Sequence, residues 1–299
     1  MKATITDFGR TAALWQSTPD APGALVFCPA NGFPVASYRQ FFGYLETDWQ
    51  VFGLENRGMW PAQPAPANDF DWRDHADDLI AFIEYLGREQ GLALPVTGVG
   101  HSIGATVTLL AAIKRPDLFS QLVLIDPASQ EHSEEDGADN PRESSGLKAQ
   151  LVEKTLKRRH LWRSHGEFAD YLAGKGAYSA FTRQALEDYA AAGLIPEGGV
   201  LTLAYSRDWE SHNFATTPAA WSLFEQIPVP SLFVYGEHSP MYPGERIPQL
   251  LGMLPGWIDS HRVDGAGHLL IQEAPSPVAD AVLSWLEAGL VPGSKSDVV

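Results

Sequence analysis

What this chain has little of narrows the field first. A single cysteine, Cys28, stands among 299 residues, so no internal disulfide can form. Set in an apolar run, it is expected to be a buried, reduced thiol. Basic residues are scarce: 21 Lys and Arg face 37 Asp and Glu, a formal net charge of -16. That balance argues against nucleic acid and anionic membrane surfaces as partners, since both need basic patches. No apolar run approaches a membrane span. The start, Met1 to Gly9, lacks the apolar core of a secretory signal, so a soluble, cytoplasmic protein is expected. No metal-ligand spacing, phosphate-cradling Gly-x-Gly-x-x-Gly or Walker sequence occurs, which implies neither metal nor cofactor. There is no internal repeat. What remains is ordinary globular composition, 44% hydrophobic and 19% charged, with length for one large domain or one domain carrying an insert.

The most informative stretch is Pro95-Val96-Thr97-Gly98-Val99-Gly100-His101-Ser102-Ile103-Gly104. A short β-type run ends in Gly-His-Ser-Ile-Gly and passes directly into a helix-forming segment, Ile103 to Lys114. In that strand-to-helix context Gly-x-Ser-x-Gly reads as a nucleophile elbow. The turn is tight enough to strain the backbone, and Gly100 and Gly104 remove side chains that would clash. The serine hydroxyl is then presented at a strand end and a helix N-terminus, where developing negative charge is favoured.

Around it, strands and helices alternate. Ala24 to Cys28, Trp49 to Leu54, Leu122 to Ile125 and Ser231 to Gly236 are apolar runs of strand length, as expected for strands buried on both faces. Thr4 to Gln16 suits two short antiparallel edge strands about Gly9, and Trp257 to Val263 a weaker final strand. Trp72, Ala76, Leu79, Ile80, Ile83 and Leu86 recur at helical spacing, and Pro277 to Leu286 reads as the last helix. This is the pattern of a mostly parallel sheet covered on both faces. The rhythm stops from 130 to 226, where a polar loop (Glu131 to Ser145), a basic helical stretch and aromatic-rich helical pieces show no strand pattern. The expected organisation is a core of residues 1–129 and 227–291, a helical cap at 130–226 and a disordered tail at 292–299.

A serine attacks only if a base takes its proton, and the base needs a partner that fixes its tautomer. Of nine histidines, His268 follows the last strand on a loop of small residues, where this topology places a base. His101 neighbours Ser102 but points elsewhere on an elbow. His75, His160, His165 and His261 read as solvated or capping. The oxyanion needs two backbone N–H groups, expected from Ile103 and, in Asn31-Gly32-Phe33-Pro34, from Phe33. Arg57 is expected to fix its loop by bonding backbone carbonyls. Lys154, Lys157, Arg158 and Arg159 read as a solvated helix face, and Trp162, Phe168, Tyr171, Trp209 and Trp221 as core or as the wall of a pocket over Ser102.

With Ala30 to Pro34, Arg57-Gly58, Gly100 to Gly104, Leu122 to Pro127, Tyr235 to His238 and Gly267-His268 in order, the chain resembles the cap-bearing α/β-hydrolase fold proteins that carry Gly-His-Ser-x-Gly. The resemblance implies an α/β fold with a mostly parallel eight-stranded sheet, helices on both faces and an inserted helical cap. It also exposes a departure. The family pattern after the strand Leu232 to Tyr235 is Gly-x-x-Asp, and here the stretch is Gly236-Glu237-His238-Ser239, so a hydroxyl stands where the triad acid belongs. The best substitute is Asp126, at the end of the strand beside the elbow strand, as in some lipases and one branch of haloalkane dehalogenases. Glu237 and Asp264 follow it.

These residues point to a serine hydrolase of small, fairly apolar carboxylic esters, acting alone or as a homodimer on a small-molecule substrate. A C–C bond hydrolase or an acyl transferase would use the same triad. A serine nucleophile argues against epoxide hydrolase and dehalogenase chemistry. Ser239 alone favours a different class, a non-catalytic small-ligand binding protein on a hydrolase scaffold.

Overall fold

A computed structural model of the chain describes residues 2–8, 11–17, 21, 23–46, 48–129, 141–242 and 247–289. Most of the polar loop expected at 131–145, and all of the tail expected at 292–299, lie outside them. Among the described residues no helix is long and apolar enough to cross a membrane.

Among the described residues the main sheet has eight strands. β1 (Lys2–Asp7) and β2 (Thr11–Gln16) form the expected antiparallel edge pair. The rest come from β3 (Gly23–Cys28), β4 (Trp49–Leu54), β5 (Val96–His101), β6 (Phe119–Ile125) and two strands late in the chain. Between β6 and those two, where no strand pattern is visible in the sequence, lie three short strands: β7 (Leu161–Trp162), β8 (Leu194–Glu197) and β9 (Val200–Leu203). They form a separate antiparallel sheet in the order β7-β9-β8. They lie among the helices of a segment expected to be mostly helical; runs of two and four residues are too short to show an alternation. The final strands are β10 (Ser231–Gly236) and β11 (Ile258–Val263). The main sheet runs β1-β2-β4-β3-β5-β6-β10-β11, parallel from β4 onward.

Helices α1 (Arg39–Leu45), α2 (Trp72–Glu89) and α3 (Ile103–Lys114) cover the sheet. α2 starts where the sequence can cap it: Asp71 accepts from Arg73 N–H, and Asp74 reaches back to Asp71 N–H at 2.8 Å. Such a reciprocal box satisfies donors a helix start would otherwise leave open. The segment before β10 adds α4 (Pro141–Lys157), α5 (His165–Leu172), α6 (Arg183–Gly193) and α7 (Arg207–Ala215). A final helix spans Pro275–Gly289.

Apolar side chains gather on both sheet faces. Phe52, Leu79, Phe82 and Leu109 pack on one face with α2 and α3. Phe27, Phe41, Val123 and Val282 pack on the other, in a cluster that continues into Trp162, Phe168 and Tyr189. Cys28 is a free, buried thiol, pushed up to about 12 by burial.

The strand order reverses direction around β3 and β5, the switch point where open α/β sheets leave a crevice at strand carboxyl ends. Every residue singled out for chemistry follows a strand at this edge.

Candidate active site

Ser102 follows β5 with φ 57° and ψ −122°, a left-handed conformation that costs a non-glycine residue about 1–3 kcal/mol. Backbone bonds hold it there: Ser102 N–H donates to Ile125 O at 3.0 Å, and Ser102 O accepts from Ala128 N–H at 3.1 Å. The flanking glycines are required by contact. A Cβ on Gly100 would sit 2.3 Å from Gly104 O, and one on Gly104 would sit 2.0 Å from Cys28 O.

His268, on the loop after β11, places Nε2 2.9 Å from Ser102 Oγ. Its Nδ1 lies 3.2 Å from Asp126 Oδ1. Asp126 follows β6 directly, also left-handed at φ 44°, and is fully buried. Its carboxylate accepts from Ser239 Oγ–H at 2.7 Å and Gly236 N–H at 3.1 Å, besides the imidazole. A buried carboxylate needs such donors, because removing it from water without them is costly. Ser239, at the place where the family pattern has an aspartate, therefore donates to a carboxylate from the neighbouring strand end. β6 and β10 are neighbours in the sheet, so their carboxyl ends reach the same point.

Of the other carboxylates considered, Glu237 accepts from Gly265 N–H at 2.8 Å and Asp264 from Arg262 Nε–H at 2.8 Å. Both are exposed, and both are engaged away from His268 Nδ1.

The two expected oxyanion donors differ. Ile103 N–H begins α3 and has no carbonyl within its own helix to donate to. Phe33 N–H donates to Ala30 O at 3.2 Å, closing the turn after β3. Gly32 in that turn has φ 79°, which favours glycine.

Five residues have roles the sequence did not disclose: His101, Tyr38, His75, Arg57 and Glu55. His101 is fully buried, with Nε2 2.9 Å from His268 O and Nδ1 2.9 Å from the Tyr38 hydroxyl. Only Nε2–H can donate to a carbonyl, so Nδ1 accepts from Tyr38 O–H, whose oxygen accepts Ala30 N–H at 2.9 Å. The chain Ala30–Tyr38–His101–His268 thus ties the turn after β3 to the histidine loop. Burial, and then the nearby His268, lower His101 to about 3, so it stays neutral. His75 is buried rather than solvated, bonded through Nε2 to Asn213 Oδ1 at 3.0 Å and held below its usual range by burial.

Arg57 bonds a carboxylate rather than carbonyls: Nε and Nη2 reach Asp78 Oδ2 and Oδ1 at 2.6 and 2.9 Å. Of the aromatics, Trp162, Phe168 and Trp209 are buried packing residues and Tyr171 is exposed.

Glu55 braces the same turn from below. Its carboxylate accepts from Val35 N–H at 3.0 and 2.9 Å and from Trp15 Nε1–H at 2.7 Å. Burial raises it to about 7 despite those donors. A carboxyl raised on folding contributes stability below its unfolded value near 4.5, and that contribution fades as pH climbs through 7. Between pH 5 and 8 the protein is expected to lose about 3 kcal/mol relative to Glu55→Gln. Urea midpoints of the two proteins across that range measure the difference; parallel curves contradict it.

The chain is similar to several known proteins. A type I acyl-CoA thioesterase of Penicillium brevicompactum is 31% identical over 134 residues, covering 38% of this chain but only 30% of that enzyme's length. A 2-(acetamidomethylene)succinate hydrolase of Mesorhizobium japonicum is 26% identical over 224 residues, covering 75% of this chain and 73% of that one. The crystal structure of E-2-(acetamidomethylene)succinate hydrolase superposes with a TM-score of 0.80 at 21% identity, over 96% of this chain and 99% of that one. That likeness is one of fold. The model of the alpha/beta hydrolase family matches residues 25–281, from β3 into the final helix, and on that extent the chain belongs to the alpha/beta hydrolase family.

Proposed function

We propose that the protein is a serine hydrolase that cleaves small carboxylic esters through an acyl-enzyme on Ser102. The observation that carries this reading is the unbroken sequence Ser102 Oγ, His268 Nε2 at 2.9 Å, His268 Nδ1 and Asp126 Oδ1 at 3.2 Å. His268 takes the Ser102 proton as Oγ bonds to the ester carbonyl carbon. Asp126 holds the proton on Nδ1 and steadies the imidazolium. The carbonyl oxygen becomes an oxyanion facing Ile103 N–H. Phe33 N–H is the second donor, since an anionic oxygen is a stronger acceptor than the Ala30 carbonyl that holds it at rest. Collapse breaks the ester C–O bond, and the alcohol leaves with the proton from His268. Water then gives a proton to His268 as its oxygen bonds to the acyl carbon, the bond from that carbon to Ser102 Oγ breaks, and His268 returns the proton to Oγ as the acid leaves.

C–C bond hydrolysis and acyl transfer share these steps up to the acyl-enzyme, and the geometry favours neither. The binding-protein reading loses its one support, because Ser239 donates to Asp126 rather than leaving the site without an acid. Relatives named hydrolase, thioesterase and esterase agree with acyl chemistry and leave the acyl group open.

A fluorophosphonate probe is expected to label the protein once, on the peptide containing Ser102, and to abolish p-nitrophenyl ester hydrolysis in proportion. Mass spectrometry of the digest reads the site. A label elsewhere, or hydrolysis that survives full labelling, overturns the proposal.

A further inference from the structure

The basic stretch that ends α4 divides in two. Lys157 pairs with Glu153 on the surface, and Arg159 lies over the Trp162 ring and bonds Glu167 at 2.6 Å. Arg158 turns inward instead. Its Nη1 bonds Glu210 Oε1 at 2.9 Å and the Tyr189 hydroxyl interacts with the guanidinium, while Nε and Nη2 are buried with no hydrogen-bond partner among the described residues. Glu210 Oε2 is likewise buried and unpartnered. Unmet donors of a buried guanidinium are destabilising, each by more than an ordinary hydrogen bond contributes.

A bracing role alone does not account for this. Where the chain uses an arginine to brace a helix, Arg57 spends both Nε and Nη2 on Asp78. That is the edge Arg158 leaves open. Nε–H and Nη2–H of one guanidinium form a planar fork that matches the two oxygens of a carboxylate.

Glu210, the partner of Arg158, lies beside the turn after β3. A Cβ on Gly32 would come within 2.7 Å of Glu210 Oε1. Asn31 Nδ2–H donates to Glu210 O at 2.9 Å, and Tyr189 O–H donates to Gly32 O at 3.1 Å. Phe33 stacks on Tyr189 at 4.7 Å, and Tyr178 stacks on the same ring at 5.9 Å. The ion pair and the Phe33 N–H thus share one turn. We infer that Arg158 is a specificity residue whose open Nε/Nη2 edge receives a carboxylate on the substrate, so that the preferred ester carries an anionic group beyond the scissile bond. This inference rests on the acyl-enzyme reading above and narrows its fairly apolar substrate to one with a charged end. Burial raises Glu210 above the usual carboxylate range, against the pull of Arg158.

The test compares p-nitrophenyl hemi-esters of succinate, glutarate, adipate and pimelate with neutral p-nitrophenyl esters of matched length. Wild type is expected to prefer at least one hemi-ester by tenfold or more in kcat/KM, chiefly through KM. Arg158→Gln is expected to erase that preference and Arg158→Lys to recover part of it, a point charge replacing a fork. The thermal midpoint with the free dicarboxylates gives a readout independent of turnover: a rise in wild type, absent in Arg158→Gln. Hydrolysis of both ester series without preference, or a preference that survives Arg158→Gln, overturns the carboxylate site. Dicarboxylate binding through Arg158 with neither ester hydrolysed supports the carboxylate site and overturns the acyl-enzyme reading instead.

Discussion

Ser102→Ala is expected to lower kcat for p-nitrophenyl ester hydrolysis by about six orders of magnitude, the scale on which serine hydrolases lose turnover without the nucleophile. The reason is that the rest of the site is arranged around one oxygen. His268 Nε2 has Ser102 Oγ as its partner, and without it the base has only water to activate, at a place the elbow was not built to hold. What persists is binding and oxyanion stabilisation, worth about three to four orders over water in a comparable triad enzyme. Because serine and base act as a unit, adding His268→Ala to Ser102→Ala should cost little more. Initial rates on protein whose labelled fraction is known measure both. A Ser102→Ala rate within a hundredfold of wild type sinks the mechanism.

Asp126→Asn is expected to reduce kcat by about four orders of magnitude with little change in KM, as neutralising the acid does in a serine protease. Two oxygens of Asp126 accept from Ser239, Gly236 and His268. An amide offers one acceptor oxygen and turns the other position into a donor. With NH2 towards His268, the imidazole is forced into the tautomer that cannot accept the Ser102 proton. With NH2 towards Gly236, two donors face each other in a buried space, and the imidazolium still lacks an opposing charge. Glu237→Gln and Asp264→Asn, whose carboxylates bond elsewhere, serve as controls expected to stay within threefold of wild type. Restoring a carboxylate as Ser239→Asp in the Asp126→Asn background should recover part of the loss, since the 239 hydroxyl is already 2.7 Å from Asp126 Oδ1. Full activity in Asp126→Asn would falsify the relocated acid.

Sheet and elbow were legible for physical reasons. Strands covered on both faces, such as Leu122 to Ile125 and Ser231 to Gly236, must be apolar throughout, and that leaves an unbroken run in the sequence. The elbow leaves its glycines because backbone atoms stand where a Cβ would go. Requirements met by a single side chain leave no such trace. Ser239 reads as a missing acid until its hydroxyl is seen on Asp126. Arg57 and Arg158 look alike in sequence, yet one is closed on both oxygens of Asp78 and the other holds Glu210 by one nitrogen. The strands β7 to β9 were hidden by brevity, and His75 by a partner, Asn213, that lies 138 positions away.

His101 sets the electrical terms on which the site works. Its ring centre is 5.7 Å from that of His268, and in the proposed mechanism His268 carries a full positive charge. A second imidazolium at that range would oppose it by about 3 kcal/mol at an effective dielectric near 20, or about two orders of magnitude in rate. The bonds that make His101 a tether also keep its Nδ1 free of a proton, so the charge on His268 arises beside a neutral ring. The tether is at the same time an insulator.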